Sequence, residues 1–281
     1  MQLDYKAIGL KPPSKIAKMH TGSASVNYYI QNEDGEFLIK LIQASQKISK
    51  NTLLTNLKQT SHCTTAPHFL FEKKWNDYFV LVFQWIEGES IFLEKLPESK
   101  FNHLIQSYLS LSDQMNSGTS TAILPQIQLS NIYRSIIKPP RFLKKDLDLI
   151  KGELTYQPTR KVIHGDFHYK NMLFKDNKLQ SFLDFAEFRY GCPTEDLIRL
   201  LLTNAEQHKV FRTTYTLKLL RLMLKNTPYS RQDWLYGLDL FVLQRYAKKL
   251  KKKNFKQYIV LFRCNVLYKK IRSTINDYFA H

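Results

Sequence analysis

Residues 162–190 read VIHGDFHYKNMLFKDNKLQSFLDFAEFRY and hold the side chains best suited to chemistry. Asp166 sits in His164-Gly165-Asp166, Asn171 follows it, and Asp184 closes the segment. Two short apolar stretches, 171–174 and 180–183, flank a turn at Asp176-Asn177, the pattern of a β-hairpin. A hairpin returns its ends to one place, so Asp166, Asn171 and Asp184 are expected to converge. Carboxylate and amide oxygens in such a group suit Mg²⁺, a hard cation that prefers oxygen. A carboxylate left off the metal can act as base toward a hydroxyl. Alone, each residue has a plainer use: an Asp after a strand is a turn or cap residue, and an Asn beside a lysine is surface loop. The combination is what is specific. His164 and His168 have no third His or Cys at zinc-ligand spacing, so a zinc site is not expected.

The elements that must carry this segment follow from the pattern on either side. The turn signal Asn32-Glu33-Asp34-Gly35 separates two apolar stretches, 26–30 and 36–41. Two more strands are expected around the turn at 74–77, and 78–83 is the most apolar of all. Residues 46–60 carry Ile48, Leu53, Leu54 and Leu57 at helical spacing. Beyond Phe92 the pattern turns helical, with Phe101, Leu104, Tyr108 and Leu111 on one face. Residues 116–142, rich in Ser, Thr and Pro, read as loop, and 194–226, 231–250 and 254–279 read as helices. The expected class is α+β. A small β-rich N-lobe spans 1–84, a connector 85–89, and a larger helical C-lobe 90–281.

The motif His164-Gly165-Asp166-Phe167-His168-x-x-Asn171 resembles the catalytic loop of the aminoglycoside phosphotransferase/choline kinase-like family, within the two-lobed protein-kinase-like fold. Asp184-Phe185-Ala186-Glu187, followed by Gly191-x-Pro193-x-x-Asp196, looks like that family's metal-binding segment. The resemblance implies ATP or GTP and Mg²⁺ as cofactors and a small-molecule hydroxyl as acceptor. Asp166 would then orient the hydroxyl or take its proton, and Asn171 and Asp184 would hold the metal. It further implies that Lys40 contacts the phosphates, that Ser23, Ala24 and Ser25 cover them, and that backbone groups of Gln84, Trp85 and Ile86 face the base. His164 and Asp196 are expected to brace the loop. The chain departs from the pattern in one respect. The lysine of this fold is oriented by a Glu from the next helix, yet no Asp or Glu lies between Glu36 and Glu72. Lys40 must therefore be held by another group: Asp184, Gln46 or Asn51. This departure motivates a competing reading, a nucleotide-binding protein of the same fold without turnover.

Charge narrows the acceptor. The net charge is +18, and residues 191–281 hold 18 basic against 6 acidic side chains. Cationic antibiotics need an acidic cleft, so a neutral or anionic hydroxyl compound (a sugar, an amino alcohol or a phosphorylated metabolite) ranks above an aminoglycoside. Candidates near the acceptor are Tyr190, Glu195, Arg199, Trp234 and Arg245. The lysines of 248–253 lie on one amphipathic helix and no nucleic-acid module is present, so a nucleic-acid partner is not expected. No apolar stretch reaches the roughly 18 residues of a membrane helix. Three scattered cysteines favour a reduced, cytoplasmic setting. Nothing in the sequence sets the oligomeric state.

Overall fold

A computed structural model describes residues 3–19, 25–45, 50–117, 127, 129–136, 139–207, 213–251 and 255–280. The chain begins α1 (Tyr5–Ile8), β1 (Lys15–Lys18), β2 (Val26–Asn32), β3 (Gly35–Gln43), α2 (Lys50–Thr60), β4 (Phe69–Trp75) and β5 (Tyr78–Gln84). Then come α3 (Glu98–Ser117), α4 (Leu129–Ser135), α5 (Arg141–Gly152) and β6 (Lys161–Ile163). β7 (Met172–Lys175), β8 (Lys178–Phe182) and β9 (Arg189–Gly191) follow, and α6 (Pro193–Gln207), α7 (Thr213–Lys225), α8 (Arg231–Leu250) and α9 (Phe255–Tyr278) end it. These form two compact units, one of residues 1–89 and 173–186, the other of 90–172 and 187–281.

The first unit is built on an antiparallel sheet of order β1-β2-β3-β5-β4. β3 and β5 are its inner pair, and their near-continuous apolar sequence reflects burial on both faces. Ile39, Leu41, Val80 and Val82 pack with Ile30 and Ile8 on one side. Ile42, Leu81 and Phe83 pack with Leu57 of α2 on the other. Between β2 and β3 the turn forms as the sequence demands: Asp34 N–H donates to Asn32 Oδ1 at 2.8 Å, and Gly35 takes φ +136°. The β7–β8 hairpin joins this unit through backbone bonds. Glu89 and Phe174 exchange N–H···O bonds of 2.9 Å, and Phe182 N–H donates to Thr65 O at 2.8 Å.

The second unit is helical. α6 packs on α8, α8 on α9, and the short ladder β6–β9 lies beside α3. α8 starts at a capping box in which Ser230 and Asp233 satisfy each other's backbone N–H. Trp234, Tyr246 and Tyr268 are fully enclosed. Two expectations change here. Residues 129–135, part of the 116–142 stretch read as loop from its Ser, Thr and Pro content, are helical in α4, where Leu129 is buried. The stretch 194–226 holds two helices, α6 and α7, with the intervening 208–212 outside the described residues.

The α+β class and the protein-kinase-like architecture read from the sequence hold: an antiparallel sheet unit with one long helix, and a helical unit. Ile39 is fully buried at the centre of the sheet. Ile39→Ala should destabilise the sheet unit by about 2–5 kcal/mol, the range for large-to-small core changes. Urea denaturation followed by circular dichroism would read this, and an unchanged midpoint would refute the packing described.

Candidate active site

In the helical unit the motif His164–Asn171 leaves β6 at Ile163 and turns sharply. Gly165 has φ +82°, and a Cβ there would stand 2.0 Å from Glu187 O, so only glycine fits. The turn is held by Asp196, fully buried on α6. Its Oδ2 accepts the N–H of His164 at 2.8 Å and its Oδ1 that of Gly165 at 3.0 Å. Tyr108 O–H donates to the same carboxylate at 3.1 Å. The His164 ring accepts the N–H of Asp166 at Nδ1 (3.3 Å) and rests edge-on against Phe167. Phe167, buried beside Tyr108, anchors the next position. The loop is thus fixed on both sides of Asp166.

The Asp166 carboxylate is met by three groups of its own unit. His168 Nε2 lies 3.3 Å from Oδ2 and Arg199 Nη1 3.8 Å from Oδ1. Asn171 Nδ2 donates to Oδ2 at 3.3 Å and to the Asp166 backbone carbonyl at 2.9 Å. Burial raises the carboxyl pKa. The His168 hydrogen bond and the charges of His168, Arg199 and His164 together outweigh that and bring it down to about 2. Asp166 is therefore an anion throughout the physiological range.

In the sheet unit the β7–β8 hairpin delivers Asp184, which takes a left-handed φ of +62°. Its Oδ1 meets Lys40 Nζ at 3.1 Å. Lys40 stands on β3 opposite Asn27 of β2 and Leu81 of β5. This pair supplies the partner that the acid-free interval 37–71 withholds. Of the other two candidates, Gln46 and the Asn51 side chain lie outside the described residues. α2 contributes a neutral contact instead of an acid: buried Asn56 donates to Phe185 O at 3.1 Å, beside Asp184.

Structure thus brings Asp166 and Asn171 together in one unit, and Lys40 and Asp184 together in the other. Sequence reasoning missed Asn56, and it named Arg199 only as one of several possible acceptor contacts. The expectation for the connector narrows. Gln84 N–H donates to His68 O and Trp85 N–H to Glu36 O, both at 3.0 Å. These two amides continue the sheet and are already engaged, which leaves the N–H of Ile86 and the carbonyls of the expected trio. Ser25 Oγ bonds Asn27 Oδ1 at 3.4 Å, while Ser23 and Ala24 lie outside the described residues. Glu195 and Trp234 are not acceptor contacts. Glu195 is buried against Arg189 at 2.9 Å and Trp234 is wholly enclosed.

Among the described residues no three His, Cys, Asp or Glu side chains gather as a metal cluster. Taken singly, the two residues expected to hold Mg²⁺ carry oxygens of the type it prefers. Both N–H bonds that Asn171 makes through its amide nitrogen go to Asp166, so neither involves its Oδ1. Asp184 is 42% exposed and engages Lys40 through one oxygen only.

Comparison with known proteins agrees with the motif. The model of the phosphotransferase enzyme family matches residues 138–221, which include the catalytic loop, Asp184 and Asp196. The family that the motif resembles is this one. A thermostable mutant of aminoglycoside phosphotransferase APH(4)-Ia, crystallised with ADP and hygromycin B, is 12% identical, with a TM-score of 0.66 over 96% of each chain. A choline/ethanolamine kinase family protein from Mesorhizobium loti is 13% identical, with a TM-score of 0.66 over 93% of this chain and 92% of that one. Choline kinase from Cryptosporidium parvum is 10% identical, with a TM-score of 0.64 over 98% and 92%. At these identities the likeness shows the fold. No curated protein sequence matches the chain. No described helix is long and apolar enough to cross a membrane.

Asp196 accepts from three donors, of which Tyr108 O–H also reaches Pro193 O at 3.2 Å. Asp196→Ala should cost about 2 kcal/mol or more, since each buried backbone N–H it leaves unmet costs roughly 1–3, and should free the Gly165 amide to exchange. Hydrogen exchange and urea unfolding measure both. A variant that keeps wild-type stability and protection would show that the loop does not depend on this carboxylate.

Proposed function

We propose that the chain is a Mg²⁺-dependent phosphotransferase that moves the γ-phosphate of ATP or GTP to a hydroxyl of a small molecule. The observation that carries this reading is the pinned Asp166 carboxylate, presented by a loop of the matched family and held as an anion by His168, Arg199 and Asn171. A pKa of about 2 supports an orienting role for it. A proton acceptor works best with a pKa near the working pH, so Asp166 is too weak a base to take the proton early. Its task is to accept a hydrogen bond from the acceptor hydroxyl and aim that oxygen at the γ-phosphorus. The oxygen bonds to phosphorus, the bond to the β–γ bridging oxygen breaks, and the nucleoside diphosphate leaves. The hydroxyl proton ends on the transferred phosphate or on solvent. A loose phosphoryl-transfer transition state requires positioning and charge neutralisation more than a strong base.

Asn171 and Asp184 are the proposed metal ligands, and the bound ion would neutralise phosphate charge. Lys40 adds a cation for the phosphates and Ile86 N–H a donor for the base, with Ser23, Ala24 and Ser25 over the phosphates. Acceptors in this reading are sugars, amino alcohols or similar hydroxyl compounds, and aminoglycosides rank lower because 17 basic side chains face 4 acidic ones over 200–281. Three free thiols suit a reducing, cytoplasmic setting.

The Lys40–Asp184 pair favours a second reading, a nucleotide-binding protein with little turnover, because each group satisfies the other. One experiment separates them. ATP consumption with Mg²⁺ is screened over sugars, amino alcohols, nucleosides and antibiotics. Asp166→Asn should lower turnover by about 10²-fold or more while nucleotide still binds, and Asp184→Asn should abolish metal-dependent turnover. Turnover unchanged in both variants sinks the assignment; nucleotide binding with no turnover on any acceptor selects the second reading.

A further inference from the structure

Helix α9 is apolar on two opposite sides. Leu261, Leu267, Tyr268, Ile271 and Ile275 face inward and are buried. Ile259, Phe262 and Val266 stand on the other side at i, i+3 and i+7, the spacing of one stripe. Phe262 is 55% exposed, and Ile259 and Val266 are 41% exposed. The stripe continues onto α5. The rings of Phe262 and Phe142 meet edge to face with centroids 6.0 Å apart. Leu149, two turns along α5 from Phe142, is 46% exposed. The two helices are held side by side. Buried Asp146 of α5 accepts from Asn265 and lies 3.7 Å from Lys269 Nζ, and Glu153 takes Arg272 Nη2 at 3.2 Å. Both helices belong to the same compact unit.

The charged groups around the stripe are mostly of one sign. Arg263 and Lys270 border it on α9, Lys269 borders it on the α5 side, and Arg141 and Lys145 flank Leu149, all of them exposed. Among the described residues of α5 and α9 the exposed acids are Asp148 and Asp277. The run Lys248–Lys253 immediately precedes α9 in the sequence. A single exposed apolar side chain is ordinary, whereas a contiguous set rimmed by polar groups marks a docking surface. Its occupant must be negative and must also supply an apolar layer. A second copy of the chain would set the same basic groups against each other across a two-fold axis. Nucleic acid would meet the cations but leave Ile259, Val266 and Leu149 without an apolar partner. An anionic leaflet meets both requirements. Its acyl chains lie directly beneath charged headgroups, and the long Lys and Arg stems keep their charges at the headgroups while the stripe sits deeper.

We propose that the α5–α9 face is a docking surface for a membrane leaflet containing anionic lipid, with the Phe262 stripe at the acyl boundary and the bordering Arg and Lys groups at the headgroups. The contact is peripheral, since no described helix is long and apolar enough to cross a membrane. It uses none of the residues of the Asp166 site and does not depend on the phosphotransferase reading.

The full chain is mixed with vesicles of phosphatidylcholine alone, or of phosphatidylcholine with about 30% phosphatidylserine, and the bound fraction is read by sedimentation. Partition onto the anionic vesicles should exceed that onto the neutral ones by about tenfold or more and should fall as salt is raised. Phe262→Ser combined with Val266→Ser should lower it about tenfold, and Arg263→Glu combined with Lys270→Glu should abolish the preference for anionic lipid. These side chains are exposed, so circular dichroism and the melting temperature should stay at wild-type values in both. Phe262→Trp should keep binding and add a blue shift of tryptophan emission on anionic vesicles that the wild-type chain lacks. Equal or absent binding to the two vesicles overturns the inference, as does an unshifted emission in Phe262→Trp or anionic binding that survives both double variants. Binding that needs Arg263 and Lys270 but not Phe262 and Val266 also overturns it, and a duplex oligonucleotide bound with that same dependence would place nucleic acid there instead. A dimer in light scattering that Phe262→Ser dissolves, with no vesicle binding, would assign the face to a second copy.

Discussion

Asp196 is the group around which the loop carrying Asp166 is organised. A carboxylate at zero exposure is costly unless its charge is met by donors. Here the donors are the N–H groups of His164 and Gly165 and the hydroxyl of Tyr108. Two consecutive backbone N–H groups can point at one carboxylate only if the chain turns sharply between them. That turn is the positive φ at Gly165, with Glu187 O pressed so close that no side chain fits. Once the turn is set, Asp166 has nowhere to go but outward, because His164 Nδ1 holds its amide and Phe167 is sunk beside Tyr108. The half-buried carboxylate is therefore the product of a fully buried one. His168, Asn171 and Arg199 act on an aspartate whose position has already been decided.

A second constraint governs the sheet unit. Nothing acidic is available on α2, so β3 cannot orient Lys40 through an ion pair with that helix. The hairpin that carries Asp184 takes over the role, and it is tied to the sheet unit by the Glu89–Phe174 and Thr65–Phe182 backbone bonds. Asn56 then grips Phe185 O without adding charge. The consequence is electrostatic. In the family pattern the lysine has an acid that no metal needs, whereas here it leans on the proposed metal ligand itself. A cation arriving at Asp184 and a triphosphate arriving at Lys40 would each weaken the pair they replace, so the two binding events favour one another. This is how a site with one acid fewer remains compatible with chemistry.

Much of this was legible in the sequence, for identifiable reasons. The β2–β3 hairpin follows from Asn32 and Gly35, which supply an Asx turn and a positive φ. The inner strand follows from the unbroken apolar run 78–83, which only burial on two faces explains. The catalytic motif was readable because His, Gly, Asp and Asn at those spacings are each required by a separate contact. What was not legible depended on tertiary partners. The helix at 129–135 is polar in composition and is fixed by the burial of Leu129. The amides of Gln84 and Trp85 looked available for a ligand because local sequence does not say where a strand stops pairing. Asn56 and Arg199 are ordinary helix residues until Phe185 and Asp166 are placed beside them. No periodicity distinguishes them from their neighbours.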